Sequence, residues 1–254
     1  MFSIERRQQI LELLKEQKTV SVSDLSKRFF IGEATIRRDL CTFEALGLAK
    51  RTYGGAILLE GLDSEIPLIV RETEQRDKKQ RIAKTAADMV QDGDVITMDS
   101  SSTALHMVPY LRRKTNLTVI TNGAKTALDC GTLPRTKVVC TGGRLRENSL
   151  SYIGNLAQRC IRDFVSGTLF FSCRSISSDI GITDVNEEES VLRRDMIRHS
   201  RRVVLLCDST KFDANSFAYI CSFSDIHCLI TDAEPSPMLQ EALAHSGVQL
   251  VVAR

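Results

Sequence analysis

Short apolar runs recur along residues 95 to 252: Val95 to Met98, Leu117 to Thr121, Lys137 to Thr141, Leu169 to Phe171, Val203 to Cys207, His227 to Ile230 and Gln249 to Val252. Amphipathic stretches separate them, near 103 to 113, 123 to 130, 154 to 164, 189 to 199 and 236 to 246. A run that is apolar throughout belongs to a strand covered on both faces, and strand–helix alternation delivers successive strands in parallel. The pattern therefore predicts an α/β fold with a mainly parallel sheet. A long amphipathic helix is expected ahead of it, from about Leu68 to Gln91. No internal repeat or low-complexity tract is present.

The N-terminal residues follow a different pattern. Ile10, Leu11, Leu13 and Leu14 share one face of a helix expected over Ser3 to Gln17. Ser21 is placed to cap a second helix running through Arg28, with Asp24 in its first turn. A third helix is expected from about Glu33 to Leu46, ended by Gly47. Leu48 to Arg51 reads as a strand, Tyr53-Gly54-Gly55 as a turn and Ala56 to Leu59 as the returning strand. Three short helices and a hairpin make a winged helix-turn-helix. The expected organisation is thus a winged domain over 1–59, a linker over 60–67 and an α/β domain over 68–254.

Net charge is only +2, so bulk charge does not announce a nucleic-acid partner. Residues 1–59 hold ten Lys/Arg against seven Asp/Glu, a slight basic excess. The third helix is more specific. Ile36, Leu40 and Phe43 fall on one face, to pack on the first two helices, while Ala34, Thr35, Arg38, Cys41 and Thr42 point away and Arg37 lies on the border. A major groove admits one helix, read by residues near its N-terminus. Small side chains at 34 and 35 allow close approach, Arg38 suits guanine, and Arg37, Lys50 and Arg51 suit phosphates. The alternative, solvated arginines balanced by Glu33 and Asp39, stays open here.

In the second domain, Asp99 to Thr103 lies where a strand hands over to a helix. Its hydroxyls and the free N–H groups of the helix start suit a phosphate. Gly142-Gly143, with Arg144, follows another strand and lets backbone approach a ligand closely. Asp208 and Lys211 follow a third. Open α/β sheets bind ligands where such strand ends converge. Helix capping, a tight turn and a solvated lysine explain the same residues equally well one at a time.

Eight cysteines, several in apolar runs such as Val138-Val139-Cys140 and Leu205-Leu206-Cys207, read as buried reduced thiols. Cys221, His227 and Cys228 fit no common zinc spacing, and with four His in all no metal and no cofactor is expected. The polar start, Met1 to Gln9, and the lack of any apolar run of membrane length predict a cytoplasmic protein with no membrane partner.

The order and spacing of Arg7-x-x-Ile-Leu11, Val20-Ser-Val-Ser-Asp-Leu25, Thr35-Ile-Arg-Arg-Asp-Leu40, Leu46-Gly47 and Gly54-Gly-Ala56 resemble the N-terminal domain of the DeoR family of bacterial transcription factors. Asp99-Ser-Ser-Ser-Thr103, Thr121-Asn122, Gly142-Gly-Arg144, Gly154, Gly181 and Asp208-Ser-Thr-Lys-Phe212 extend the resemblance over almost the whole chain. It implies a repressor binding a double-stranded operator, and a sensor domain similar to ribose-phosphate isomerase and the sugar-phosphate deaminases. It also implies relief by a sugar phosphate or related metabolite. Ser23 and Tyr53 join the candidate DNA contacts, while Asp99, Ser101, Ser102, Thr103, Asn122, Gly142, Gly143, Arg144, Arg193 and Lys211 form the candidate effector site.

The sequence departs from the family's pattern in places. Ser101 stands where the family usually has Gly, and Gly167, Ser172, Arg174 and Ser175 where Asp, Gly, Asp and Gly are common. Arg193 replaces a frequent Lys, Gly32 the usual Ser cap, and Tyr53 the usual His. Two other readings remain: an isomerase or deaminase with an added DNA-binding domain, with Asp99 and Asp208 as its only acid/base candidates, or a regulator whose pocket binds nothing. One winged domain offers a small interface, so a homodimer or tetramer is expected.

Overall fold

Ile10, Leu11, Leu13 and Leu14 are buried as their spacing requires, on α1 (Ser3–Gln17). The computed structural model containing them describes residues 3–45, 48–58 and 66–254. The chain divides into two compact units, 1–74 and 75–254.

In the first unit α1 leads into β1 (Thr19–Ser21), a short strand the apolar pattern does not reveal. Ser21 caps α2 (Val22–Phe29), its hydroxyl accepting the Asp24 N–H at 3.1 Å. Phe30, in the left-handed region at φ 54°, ends α2. Then come α3 (Glu33–Ala45), β2 (Ala49–Arg51) and β3 (Gly55–Leu58), with the antiparallel order β1-β3-β2. The expected terminator Gly47, with Leu46, Leu59 and linker positions 60–65, lies outside the described residues.

Gly55 is required by close approach, because a Cβ there would sit 1.9 Å from the Val20 carbonyl oxygen. Leu25, Ile36, Leu40, Phe43, Leu48 and Ala56 fill the core, joined by Ile66 and by Val70 of α4 (Leu68–Arg71). Asp39, 1% exposed, accepts Arg6 Nε at 2.6 Å and Arg7 Nε at 2.8 Å and so ties α3 to α1. It does not balance Arg37 and Arg38, the role open to it in the sequence.

The single helix expected over 68–91 is two helices. Gln75 sits at φ 53°, left-handed, and separates α4 from α5 (Arg76–Asp88). The pieces serve different cores: Val70 belongs to the first unit, while α5 buries Ile82, Ala83, Ala86 and Ala87 in the second.

The second unit continues through β4 (Val95–Met98), α6 (Ser102–Leu105) and α7 (Val108–Leu111). One helix was expected over 103–113. Pro109 lacks the N–H for a bond to Leu105 and its ring crowds that carbonyl, so the helix restarts there. Next come β5 (Thr118–Thr121), α8 (Ala124–Cys130) and β6 (Lys137–Cys140). The hairpin β7 (Arg144–Arg146) and β8 (Ser151–Ile153), α9 (Asn155–Arg162) and β9 (Ser166–Phe171) follow. Then the chain forms β10 (Ser175–Ser177), β11 (Gly181–Asp184), α10 (Glu187–Arg198) and β12 (Ser200–Leu206). It ends with β13 (Ala218–Cys221), β14 (Cys228–Thr231), α11 (Pro237–His245) and β15 (Gln249–Val252).

The main sheet has seven strands in the order β15-β14-β12-β9-β4-β5-β6, and every pair in it is parallel. An antiparallel sheet β10-β11-β13 stands beside it. From β4 the chain first builds β5 and β6 on one side, then β9, β12, β14 and β15 on the other. The junction of β4 and β9 is therefore the topological switch point, where a crevice opens beyond the strand ends. Cys140, expected buried, is exposed because β6 is an edge strand; Cys41 is exposed too.

Candidate nucleic-acid interface and sensor crevice

The outward face of α3 carries the residues expected there. Ile36, Leu40 and Phe43 are buried, and that fixes the helix rotation. Ala34, Arg37, Arg38 and Cys41 are exposed, with Thr35 and Thr42 partly so. Arg37 pairs with Glu33 at 2.8 Å one turn away, at about half exposure for both, so the pair is weak. Arg38 has no counter-ion among the described residues.

The wing lies beside this face. Arg51 donates to Cys41 Sγ at 2.9 Å, and its backbone N–H reaches Glu44 Oε1 at 3.1 Å, so β2 is pinned to α3. Lys50 is exposed and Tyr53 stands fully in solvent at the turn. Ser23, exposed on α2, pairs its hydroxyl with that of Ser21 at 3.1 Å.

In the second unit, strand ends bring together residues far apart in sequence. Asp99, just past β4 and 1% exposed, accepts the Ser172 N–H from just past β9 at 3.2 Å and Arg193 Nε from α10 at 3.0 Å. Its other oxygen accepts the N–H and hydroxyl of Ser101. Ser101 also caps α6 by accepting the Ala104 N–H at 3.2 Å.

Arg193 is buried among three carboxylates, Asp99 and Asp184 at 3.0 Å and Glu189 at 3.2 Å. Burial works against its charge, but Asp184, Asp99 and Glu189 outweigh burial and raise its pKa. Burial likewise opposes charge on Glu189, yet Arg193, the Ser151 hydroxyl and Arg146 hold that carboxyl down at about 2. Lys211 donates to Ser172 Oγ at 3.0 Å and lies 3.7 Å from Asp208. Its ammonium is stabilised against burial chiefly by Asp208. Asp208 is held below the usual carboxylate range, burial opposing and Lys211 leading the groups that lower it.

Asn122 donates to Tyr152 O at 3.2 Å and to Ser100 Oγ at 3.4 Å. Its Oδ1 and the Thr103 Oγ1, both buried, have no hydrogen-bond partner among the described residues. Gly142 and Gly143 take positive φ values of 63° and 115°. At Gly143 the close neighbour is protein, because a Cβ would lie 2.7 Å from Ile153 O. Arg144 donates through Nη2 alone to both Glu188 oxygens, at 2.7 and 2.6 Å, in solvent. Asp99, Ser101, Ser102, Thr103, Asn122 and Lys211 thus gather at one end of the sheet, while Arg193 is already saturated by carboxylates and Arg144 makes only a weak, exposed pair with Glu188.

Residues 6–61 match the model of a DeoR-like helix-turn-helix domain, and residues 74–233 match the DeoR C-terminal sensor domain. The chain belongs to the DeoR family of transcriptional regulators. It is 36% identical to the HTH-type transcriptional regulator YulB of Bacillus subtilis, covering 98% of this chain and 96% of the relative. It is 32% identical to GolR of Listeria innocua over all of both chains. The glycerol-3-phosphate regulon repressor of Escherichia coli is 28% identical over 98% of this chain and 99% of its own. Ribose 5-phosphate isomerase A of Methanocaldococcus jannaschii aligns at TM-score 0.41 with 14% identity over 55% of each chain, too distant to bear on activity. No described helix is long and apolar enough to cross a membrane.

Some residues of this DeoR-family crevice escaped the sequence reading. Asp184, Glu189 and Arg146 complete the buried charge network, and Ser172 is the hinge between Asp99 and Lys211. In the sequence Ser172 stands out only as a departure from the family pattern. The Glu189-to-Arg193 spacing of one helical turn is the single local signal for the rest.

Proposed function

We propose that this DeoR-family chain is a sequence-specific repressor that lays α3 in the major groove and is relieved by a phosphorylated sugar or related metabolite. On the DNA side, the supporting observation is Arg38: exposed, unpaired among the described residues and set on a helix whose rotation the buried Ile36, Leu40 and Phe43 define. Arg38 reads a guanine, Arg37 and Lys50 hold phosphates, Arg51 braces wing to helix, and Ser23, Ala34, Thr35 and Tyr53 border the contact. Capture and sequencing of bound genomic fragments gives the operator. On it, Arg38→Ala is expected to cost about 1 to 3 kcal/mol and to relax choice at one base pair. Full affinity in Arg38→Ala would remove the assignment.

On the sensor side, Lys211 supplies the cation, the 99–103 loop supplies hydroxyls, and Asn122 Oδ1 and Thr103 Oγ1, without a partner among the described residues, meet polar groups of the ligand. Gly142 and Gly143 shape the neighbouring loop, with Arg144 beyond it. The name of the Escherichia coli glycerol-3-phosphate regulon repressor agrees with a phosphorylated effector. Arg193 acts by fixing Asp99 rather than by touching phosphate. On this reading the domain binds its ligand without turning it over, with Asp208 paired to Lys211 and Asp99 to Arg193. Thermal shift against a panel of sugar phosphates, with Lys211→Ala as the non-responding control, tests this. A normal Lys211→Ala response would place the phosphate elsewhere.

One observation favours a second reading, in which the crevice fills itself. The Ser101 hydroxyl already serves Asp99 and the α6 N-terminus, and Ser172 already holds Lys211. If the parent ignores every sugar phosphate and Ser101→Gly responds, this reading prevails. In either case the protein works as a homodimer or tetramer, checked by sedimentation.

A further inference from the structure

The sensor domain carries a second charged feature at the opposite end of β4 from Asp99. Between the end of α5 and the turn that closes α7 lies an open groove of about 910 Å³, lined by Lys84, Asp88, Asp92, Tyr110 and the run Arg112-Arg113-Lys114. Lys84, Arg112 and Arg113 are exposed and Lys114 partly so. None of the four has a counter-ion among the described residues. Asp92 is engaged in accepting the Thr115 N–H at 2.8 Å. A helix C-terminus attracts cations, and α7 accounts in that way for one guanidinium, not for three successive positive residues sharing a groove with Lys84.

The chemistry of the lining selects the ligand class. A compact anion is held by buried donors that close around it, and every cation here is open to water. Exposed charges gain little from single ion pairs. They gain much from a polyanion whose condensed counter-ions are released on contact. A second basic surface on a chain already tethered to DNA also acts at high effective concentration.

We propose that this groove is a sequence-independent binding surface for the phosphates of duplex DNA, separate from the α3 and wing surface. It rests on the DNA-binding reading above and adds a contact contributed by the sensor domain. The test compares the parent chain with a variant carrying Lys84→Ala, Arg112→Ala, Arg113→Ala and Lys114→Ala. The probe is a random-sequence duplex of about forty base pairs, titrated at several salt concentrations; each phosphate contact contributes about 0.9 to the slope of log affinity against log salt. The alanine variant is expected to bind more weakly, with a slope lower by about 2 to 4. The charge-keeping variant Lys84→Arg, Arg112→Lys, Arg113→Lys, Lys114→Arg is expected to match the parent, which separates charge from folding. A parent that binds no duplex at all overturns the DNA reading itself. A parent that binds, with an alanine variant of equal affinity and slope, overturns the groove alone. So does an alanine variant that keeps its slope but loses the parent's binding to poly-glutamate, since the partner is then an acidic protein.

Discussion

Arg193→Met removes the guanidinium around which the sensor crevice is assembled, and its cost follows from the geometry. The side chain is 5% exposed and reaches carboxylates at 3.0, 3.0 and 3.2 Å. Removing one partner of a buried ion pair costs about 3 to 5 kcal/mol, because the remaining charge is stranded. Here three carboxylates lose their common cation, so the upper part of that range is expected; Met keeps most of the volume, so the cavity adds little. At about 2 to 4 °C per kcal/mol for a domain of this size, the sensor transition should fall by about 10 to 20 °C. The winged unit has its own core, so its transition should stay in place.

The pH dependence gives an independent check. Against burial, Arg193 leads the groups that hold the Glu189 carboxyl at about 2, below its ordinary value of 4.5, and its loss lets that carboxyl rise. In the parent, a carboxyl held down in this way lends stability that is present above its unfolded pKa and lost as pH falls through the folded pKa. The deficit relative to the parent should therefore be full above about pH 5 and shrink as pH falls from there toward about 3. Calorimetry of the two proteins across that window measures it. A deficit below about 1 kcal/mol, or one that does not change with pH, refutes the view that Arg193 neutralises these acids.

Two further perturbations address the first unit. Asp39→Asn removes the charge shared by Arg6 and Arg7, of which Arg6 is buried. It should cost about 3 kcal/mol, read as a lower melting transition of the winged unit alone. Gly55→Ala puts a Cβ 1.9 Å from the Val20 carbonyl oxygen, so β1 and β3 must part. The expected loss is about 1 to 3 kcal/mol with weaker DNA binding, and a neutral result in chemical denaturation would mean that the wing relaxes freely.

The strands of the main sheet were legible because each is an apolar run long enough to read alone. β1, β7, β8, β10 and β11 were not, being three or four residues long with at most two apolar side chains each; their pairing is decided by what packs beside them. The break at Gln75 was invisible because helical periodicity continues across it, and only the destination of each half differs. Ser21 as a cap and the buried face of α3 follow from local rules and appear as expected. The roles of Asp39 and Arg193 depend on partners 33 and 94 positions away, at separations no local pattern encodes. That distance is why Asp39 read as a surface counter-charge and Arg193 as a phosphate ligand.

The switch point has a consequence for how the sensor domain comes apart. β4, β5 and β6 come from one continuous stretch of chain, and β9, β12, β14 and β15 from a later one. Within the sheet the two halves are joined along a seam of one strand pair, Ile96 opposite Thr168 through Met98 opposite Phe170. Forming that seam closes a long loop, so its contacts carry a larger entropic cost than those within either half. Asp99 sits at the end of the seam and stitches it, bonding Ser172 from the second half while belonging to the first. Amide exchange along β4 and β9 would then report the parting of two half-sheets as one cooperative event. A metabolite seated on Lys211 and the 99–103 loop would bridge those halves and slow that parting, acting as a clasp whether or not it alters the average structure.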